Sequence, residues 1–136
     1  MKKFALEKHQ RIKREAEFKK IMKKGKSYAD KYLVMYVLEK SSEINPLTRS
    51  SEKVARAAEN RLPKLGLSLD RRIGKAVIRN RIKRWMREVF RLHQSRLKDR
   101  MEIILIARSS AKELVDYFEM EKRILNLWGR ARIIRN

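Results

Sequence analysis

From Arg71 to Arg91 the chain carries nine arginines and lysines against a single acid, Glu88. The centre of this run reads Ile73-Gly74-Lys75-Ala76-Val77-Ile78-Arg79-Asn80-Arg81-Ile82-Lys83-Arg84-Trp85-Met86-Arg87-Glu88-Val89-Phe90. At 100° per residue, Ile78, Ile82, Trp85, Val89 and Leu92 fall on one apolar stripe, and Asn80, Lys83, Arg84, Arg87 and Arg91 gather on the opposite face. The pattern predicts a helix with one buried side and one cationic side. With 37 basic and 16 acidic residues, and a formal charge of +21, the chain has too few carboxylates to neutralise that face. A solvated basic surface without a ligand explains most charge runs. The uniform sign of this one points instead to a polyanionic partner.

At 136 residues the chain is predicted to be a single domain with a modest core. Apolar residues make up 43% and charged residues 39%, too apolar for wholesale disorder and too charged for a membrane protein. The uninterrupted apolar runs, residues 32–38 and 103–107, are far too short to cross a bilayer. The first residues are basic without a long apolar stretch behind them, and there is no cysteine. A reducing cytoplasm is the expected compartment.

Residues 1–14 read as a basic arm with little periodicity and little order of its own. Residues 15–24 place Phe18, Ile21 and Met22 at helical spacing, with glutamates first, lysines last and Gly25 as the stop. Residues 32–38 are β-branched and aromatic, and residues 26–29 are expected to pair with them as an edge strand in a hairpin. Alternation sends Tyr32, Val34, Tyr36 and Leu38 to one face and Leu33, Met35 and Val37 to the other. Residues 40–61 read as an inserted, solvated loop, with a short helix expected in 51–60. Residues 64–69 form a further strand in which Gly66 allows a neighbouring backbone to come close. A polar turn at 95–100, an aliphatic strand at 103–107, a final helix ending at Gly129 and a basic tail at 130–136 complete the chain. The order is α-β-β-β-α-β-α, an α+β domain with a four-stranded sheet and three helices packed largely on one side. The segment from 64 to 107 is a βαβ unit, for which general chirality predicts a right-handed crossover.

No catalytic constellation is visible. His9 and His93 have no cysteine partners or metal-binding spacing and read as solvated or capping residues; Asp30, Asp70, Asp99, Glu102 and Asp116 are scattered. If the chain serves an enzyme, the chemistry lies in another component.

The segment Ile73-Gly74-Lys75-Ala76-Val77, followed by Arg79-Asn80-Arg81-Ile82-Lys83-Arg84, resembles the signature helix of the protein subunit of bacterial ribonuclease P. Phe18 ahead of Gly25-Lys26-Ser27, the run 32–38, Gly66-Leu67-Ser68 ahead of Arg71-Arg72, and residues 103–108 follow that family's order and approximate spacing. Only residues 40–61 stand outside the likeness. The resemblance implies a left-handed crossover in the βαβ unit, against the general rule. It implies that an RNA subunit performs magnesium-dependent removal of the 5′ leader of precursor tRNA while the protein assists. It assigns RNA-subunit contacts to Arg71, Arg72, Lys75, Arg79, Asn80, Arg81, Lys83, Arg84 and Arg87. Arginine forks suit phosphate, and the Asn80 amide could reach a hydrated metal ion through water.

The resemblance also assigns Phe18, Met22, Val34 and Tyr36 to a cleft that holds the single-stranded leader, where rings stack on bases without reading sequence. By residue type alone, Phe18 and Tyr36 favour the core. Met22 stands where the family frequently has an aromatic residue, and Asp70 where a neutral or small one is usual; an acid there weakens RNA contacts unless it orients an arginine. The implied partners are ribonuclease P RNA and precursor tRNA, with no membrane and no obligate protein partner. Two other readings fit charge and size: a structural or ribosomal RNA-binding protein, and a DNA-binding architectural protein with the basic helix in a major groove.

Overall fold

A computed structural model describes residues 8–40 and 61–135. Its helices are α1 (Glu15–Lys24), α2 (Ala76–His93) and α3 (Tyr117–Ala131); its strands are β1 (Lys26–Ala29), β2 (Leu33–Glu39), β3 (Lys64–Leu69) and β4 (Met101–Ala107). The strands form one mixed sheet in the order β1-β2-β4-β3, antiparallel except for the β3–β4 pair. The α+β order expected from the sequence is the order of the fold.

Local chemistry explains the early elements. Glu15 and Glu17 open α1, Lys23 and Lys24 close it, and the Gly25 N–H donates to the Ile21 carbonyl. The hairpin turn is fixed by Asp30, whose Oδ1 accepts from the N–H groups of Tyr32 and Leu33 at 2.8 Å each. Along β2, Leu33, Met35 and Val37 are buried, and the residues between them are half-buried on the other face. The predicted alternation holds.

Both faces of the sheet are covered. The larger core joins Leu33, Met35, Ile103 and Leu105 to Ile82, Met86, Val89 and Phe90 of α2 and to Met120, Ile124, Leu127 and Trp128 of α3. A smaller core on the opposite face joins Ile12, Ile21 and Ile104, with Phe18, Tyr36, Leu38 and Ile106 against it. The expectation of helices largely on one side is therefore corrected: α1 lies across the sheet from α2 and α3. The cause is β4, apolar at successive positions and so in need of cover on both sides.

The buried stripe of α2 is also rotated from the predicted one, by roughly 60°. Ile82, Met86, Val89 and Phe90 are buried, whereas Trp85 is half-buried and Leu92 is 43% exposed. The sequence offers more apolar positions than one stripe can hold, and packing against α3 selects among them. Phe90 meets Trp128 edge to face, with ring centroids 6.4 Å apart.

The basic arm, expected to have little order, and the basic tail are both packed. In the arm, Gln10 and Ile12 are buried, and the Ile12 N–H donates to the Leu65 carbonyl at 2.9 Å, adding the arm to the outer edge of β3. At the other end, α3 runs past Gly129 to Ala131 and is capped by Arg132 in the left-handed region. Ile133 is then buried, Ile134 bridges to Leu97, and Arg135 bonds the Leu97 carbonyl and pairs with Asp99. Apolar residues among the cations explain both: Ile12 in the arm, Ile133 and Ile134 in the tail. The helix expected in 51–60 lies outside the described residues. Lys40 and Arg61, which flank residues 41–60, are both tied to the backbone of Arg100.

Candidate nucleic-acid interface

The basic helix is entered through a tight turn, Arg71–Ile73, capped by Asp70. The Asp70 carboxylate accepts from the Arg72 N–H at 2.9 Å and from its side chain, Nε at 3.2 Å and Nη2 at 2.9 Å. The Arg72 side chain, and then its backbone N–H, hold the Asp70 carboxyl down at about 2. The acid that looked misplaced beside a cationic surface thus orients one of its arginines. Gly74 follows with φ 148°, a conformation that a side chain resists, and the chain passes into α2.

On this helix and its approach, Arg71, Arg72, Lys75, Asn80, Arg81, Lys83, Arg84 and Arg87 are exposed. Arg79 is half-buried, and its Nε is buried without a hydrogen-bond partner. Among the described residues, only Arg72 of this set is ion-paired; Arg91, farther along, is engaged by Glu88. The first turn of α2 contains no acid, so cations stand at the positive end of the helix dipole. Such a face repels itself until an anion meets it.

The second expected surface lies across the sheet. Cross-strand register sets out two rows on its floor: Tyr36, Ile104 and Gly66, and beside them Val34, Ile106 and Ser68. Phe18 lies over the first row. In the second, Val34 and Ile106 are half-exposed and Ser68 is exposed. Phe18, Val34 and Tyr36 are therefore brought to one face. Met22 sits one turn from Phe18, 40% exposed and outside the small core.

These surfaces are continuous. A groove of about 310 Å³ at the outer edge of β3 is lined by Arg11, Ile12, Lys13, Phe18, Leu65, Leu67, Lys83 and Arg87. Phe18 of the cleft and Lys83 and Arg87 of the helix meet there, with Arg11 and Lys13 between them. Reading the arm as unordered hid these two cations. Buried Ile12, the apolar residue that seats the arm, was the available signal. A groove at the opposite sheet edge also gathers Lys24, Lys26, Lys98 and Arg132. There α1 and α3 end, and the negative ends of both helices account for cations.

His93 corrects its prediction as a solvated or capping residue. Its Nε2 lies 2.9 Å from Glu121 Oε2, which also accepts from the Tyr117 hydroxyl at 2.9 Å, linking α2 to α3. The His93 contact lowers the Glu121 pKa; burial, then the Glu121 carboxylate, push Tyr117 up to about 12. His9 is exposed. Among the described residues no three His, Cys, Asp or Glu side chains are grouped to hold a metal ion, and Asn80, an exposed lone amide, is not a magnesium site by itself.

Fold and surfaces together define a small, strongly basic α+β protein with an exposed cationic helix face beside a partly apolar cleft. The sequence profile of the Ribonuclease P family matches residues 6–132. This chain belongs to that family. It is 32% identical to the ribonuclease P protein component of Natranaerobius thermophilus over 124 residues, 91% of each chain. Among solved structures, the ribonuclease P protein of Staphylococcus aureus superposes with a TM-score of 0.73 at 30% identity, over 93% of this chain and 98% of the other. The ribonuclease P protein from Thermotoga maritima superposes with a TM-score of 0.67 at 28% identity, over 88% and 96%.

Proposed function

We propose that this protein clamps the RNA subunit of ribonuclease P with the exposed face of α2 and holds the 5′ leader of precursor tRNA in the cleft between α1 and the sheet. Family membership gives the role from which this starts, that of protein subunit in tRNA processing. The observation that carries the division of labour is the continuous surface from Arg84 and Arg87, through the groove at β3, to Phe18. Folded RNA presents phosphates and 2′-hydroxyls to the first part, so shape rather than sequence is recognised. The second part offers half-exposed rings and aliphatic floor to unpaired bases.

Magnesium acts with the RNA subunit, and the cytoplasm is the compartment of the assembly. No helix among the described residues is long and apolar enough to cross a membrane. The protein binds, orients and screens charge; cleavage belongs to the RNA. Reconstitution with a bacterial ribonuclease P RNA at low magnesium tests this. The assembled particle removes the leader and the protein alone cuts nothing. Magnesium-dependent cleavage by rigorously RNA-free protein would contradict the division.

A further inference from the structure

Three arginines of the basic segment are held in place, by two different means. Arg72 is gripped by Asp70 and Arg91 by Glu88, carboxylates that cancel the charge they orient. Arg81 is held by an indole. Its guanidinium carbon stands 5.3 Å from the ring centroid of Trp85, one helical turn along. It remains exposed, with no ion pair among the described residues.

The difference is chemical. A ring face attracts a guanidinium through its quadrupole and through dispersion, leaving the five N–H donors in the guanidinium plane. A carboxylate engages two of those donors and offsets the charge. We propose that Trp85 is a positioning residue that presents Arg81, oriented and not neutralised, to the phosphodiester backbone of the RNA subunit. This rests on the reading of α2 as the RNA-facing helix.

The surroundings of Trp85 support the role. Ile82, Met86, Val89 and Phe90 fill the buried positions of the helix, and Trp85 is half-buried at the rim of the large core, so the fold sets its ring while Arg81 covers it. An arginine already stacked has lost part of its rotamer freedom before binding, which lowers the cost of ordering it on a phosphate. The competing role is simple cover, the arginine stem shielding the open side of a half-buried indole. In that case Trp85 acts on stability alone.

A double-mutant cycle separates the two, using the full chain and a bacterial ribonuclease P RNA transcript, well below every variant's melting point. Trp85→Leu should weaken binding by about three- to tenfold, and Trp85→Phe, which keeps a ring, should recover most of that loss. In an Arg81→Ala background, Trp85→Leu should cost nothing further. Equal losses in both backgrounds would overturn the positioning role while leaving the RNA-facing helix intact. Unchanged affinity in Arg81→Ala and Arg84→Ala alike would overturn the RNA-facing helix, and the stacked arginine with it.

Discussion

The ring of Phe18 lies so close over Gly66 that a Cβ added there would stand 2.8 Å from its Cζ and 3.1 Å from Ile12 Cβ. The missing side chain on β3 is therefore what seats α1 and the arm on the sheet. Gly66→Ala should displace the ring, destabilise the fold by roughly 1 to 3 kcal/mol, and weaken holoenzyme affinity for leader-bearing precursor. Gly129 is the control, an exposed helical glycine whose added Cβ meets nothing within 4 Å. Gly129→Ala should stabilise by roughly 0.5 to 1 kcal/mol. Urea unfolding of the two variants checks both signs.

On α2, charge and packing should separate cleanly. Arg84→Ala and Arg87→Ala alter exposed residues, so each should leave the melting point nearly unchanged. Each should also weaken RNA binding and flatten its log-log salt dependence by up to about one unit. Phe90→Ala should destabilise by roughly 3 to 5 kcal/mol, because Phe90 is fully buried against Trp128. Melting curves beside salt titrations make the comparison; equal thermal losses would place the arginines in the core.

Acid should loosen the fold through identifiable carboxylates. Arg72 lowers Asp70 to about 2, Arg91 lowers Glu88, and His93 lowers Glu121. A carboxyl with a depressed folded pKa contributes stability that is fully present above its unfolded value and is lost as pH falls through the folded one. Stability should therefore decline from about pH 4.5 downward, with the Asp70 part lost last, near 2. Glu121→Gln should remove its own share and make that decline shallower, as read from denaturant midpoints between pH 6 and 2.5.

Periodicity made the element order legible because each element carries a complete local signal: acids first and lysines last in α1, alternation in β2, a single-sign face on α2. Pairwise competition was not legible. Ile78, Ile82, Trp85, Met86, Val89, Phe90 and Leu92 are all apolar, and only the position of α3, with Trp128 against Phe90, decides that Trp85 lies at the rim. Gly66 signalled a close approach, and what approaches is the Phe18 ring rather than a backbone. The docking of arm and tail was not legible for one reason: a few isoleucines among many cations give no periodicity, yet Ile12 and Ile133 are enough to dock each segment. The cation set on α2 was legible as residues, but its continuity with Phe18 through the β3 groove depended on where the arm packs.

In the proposed function, one continuous surface grips catalytic RNA at one end and the leader at the other. Mature tRNA lacks the leader, so cleft residues can strengthen binding of precursor alone. The most direct measurement is the affinity of reconstituted holoenzyme for precursor with a leader of several nucleotides and for mature tRNA, using the native chain, Phe18→Ala and Tyr36→Ala. Each variant is first shown to assemble normally with the RNA subunit. The surface described here predicts a loss of roughly 1 to 3 kcal/mol on precursor for each variant and almost none on mature tRNA. Parallel losses on both RNAs would contradict it, leaving Phe18 and Tyr36 as packing residues of the small core.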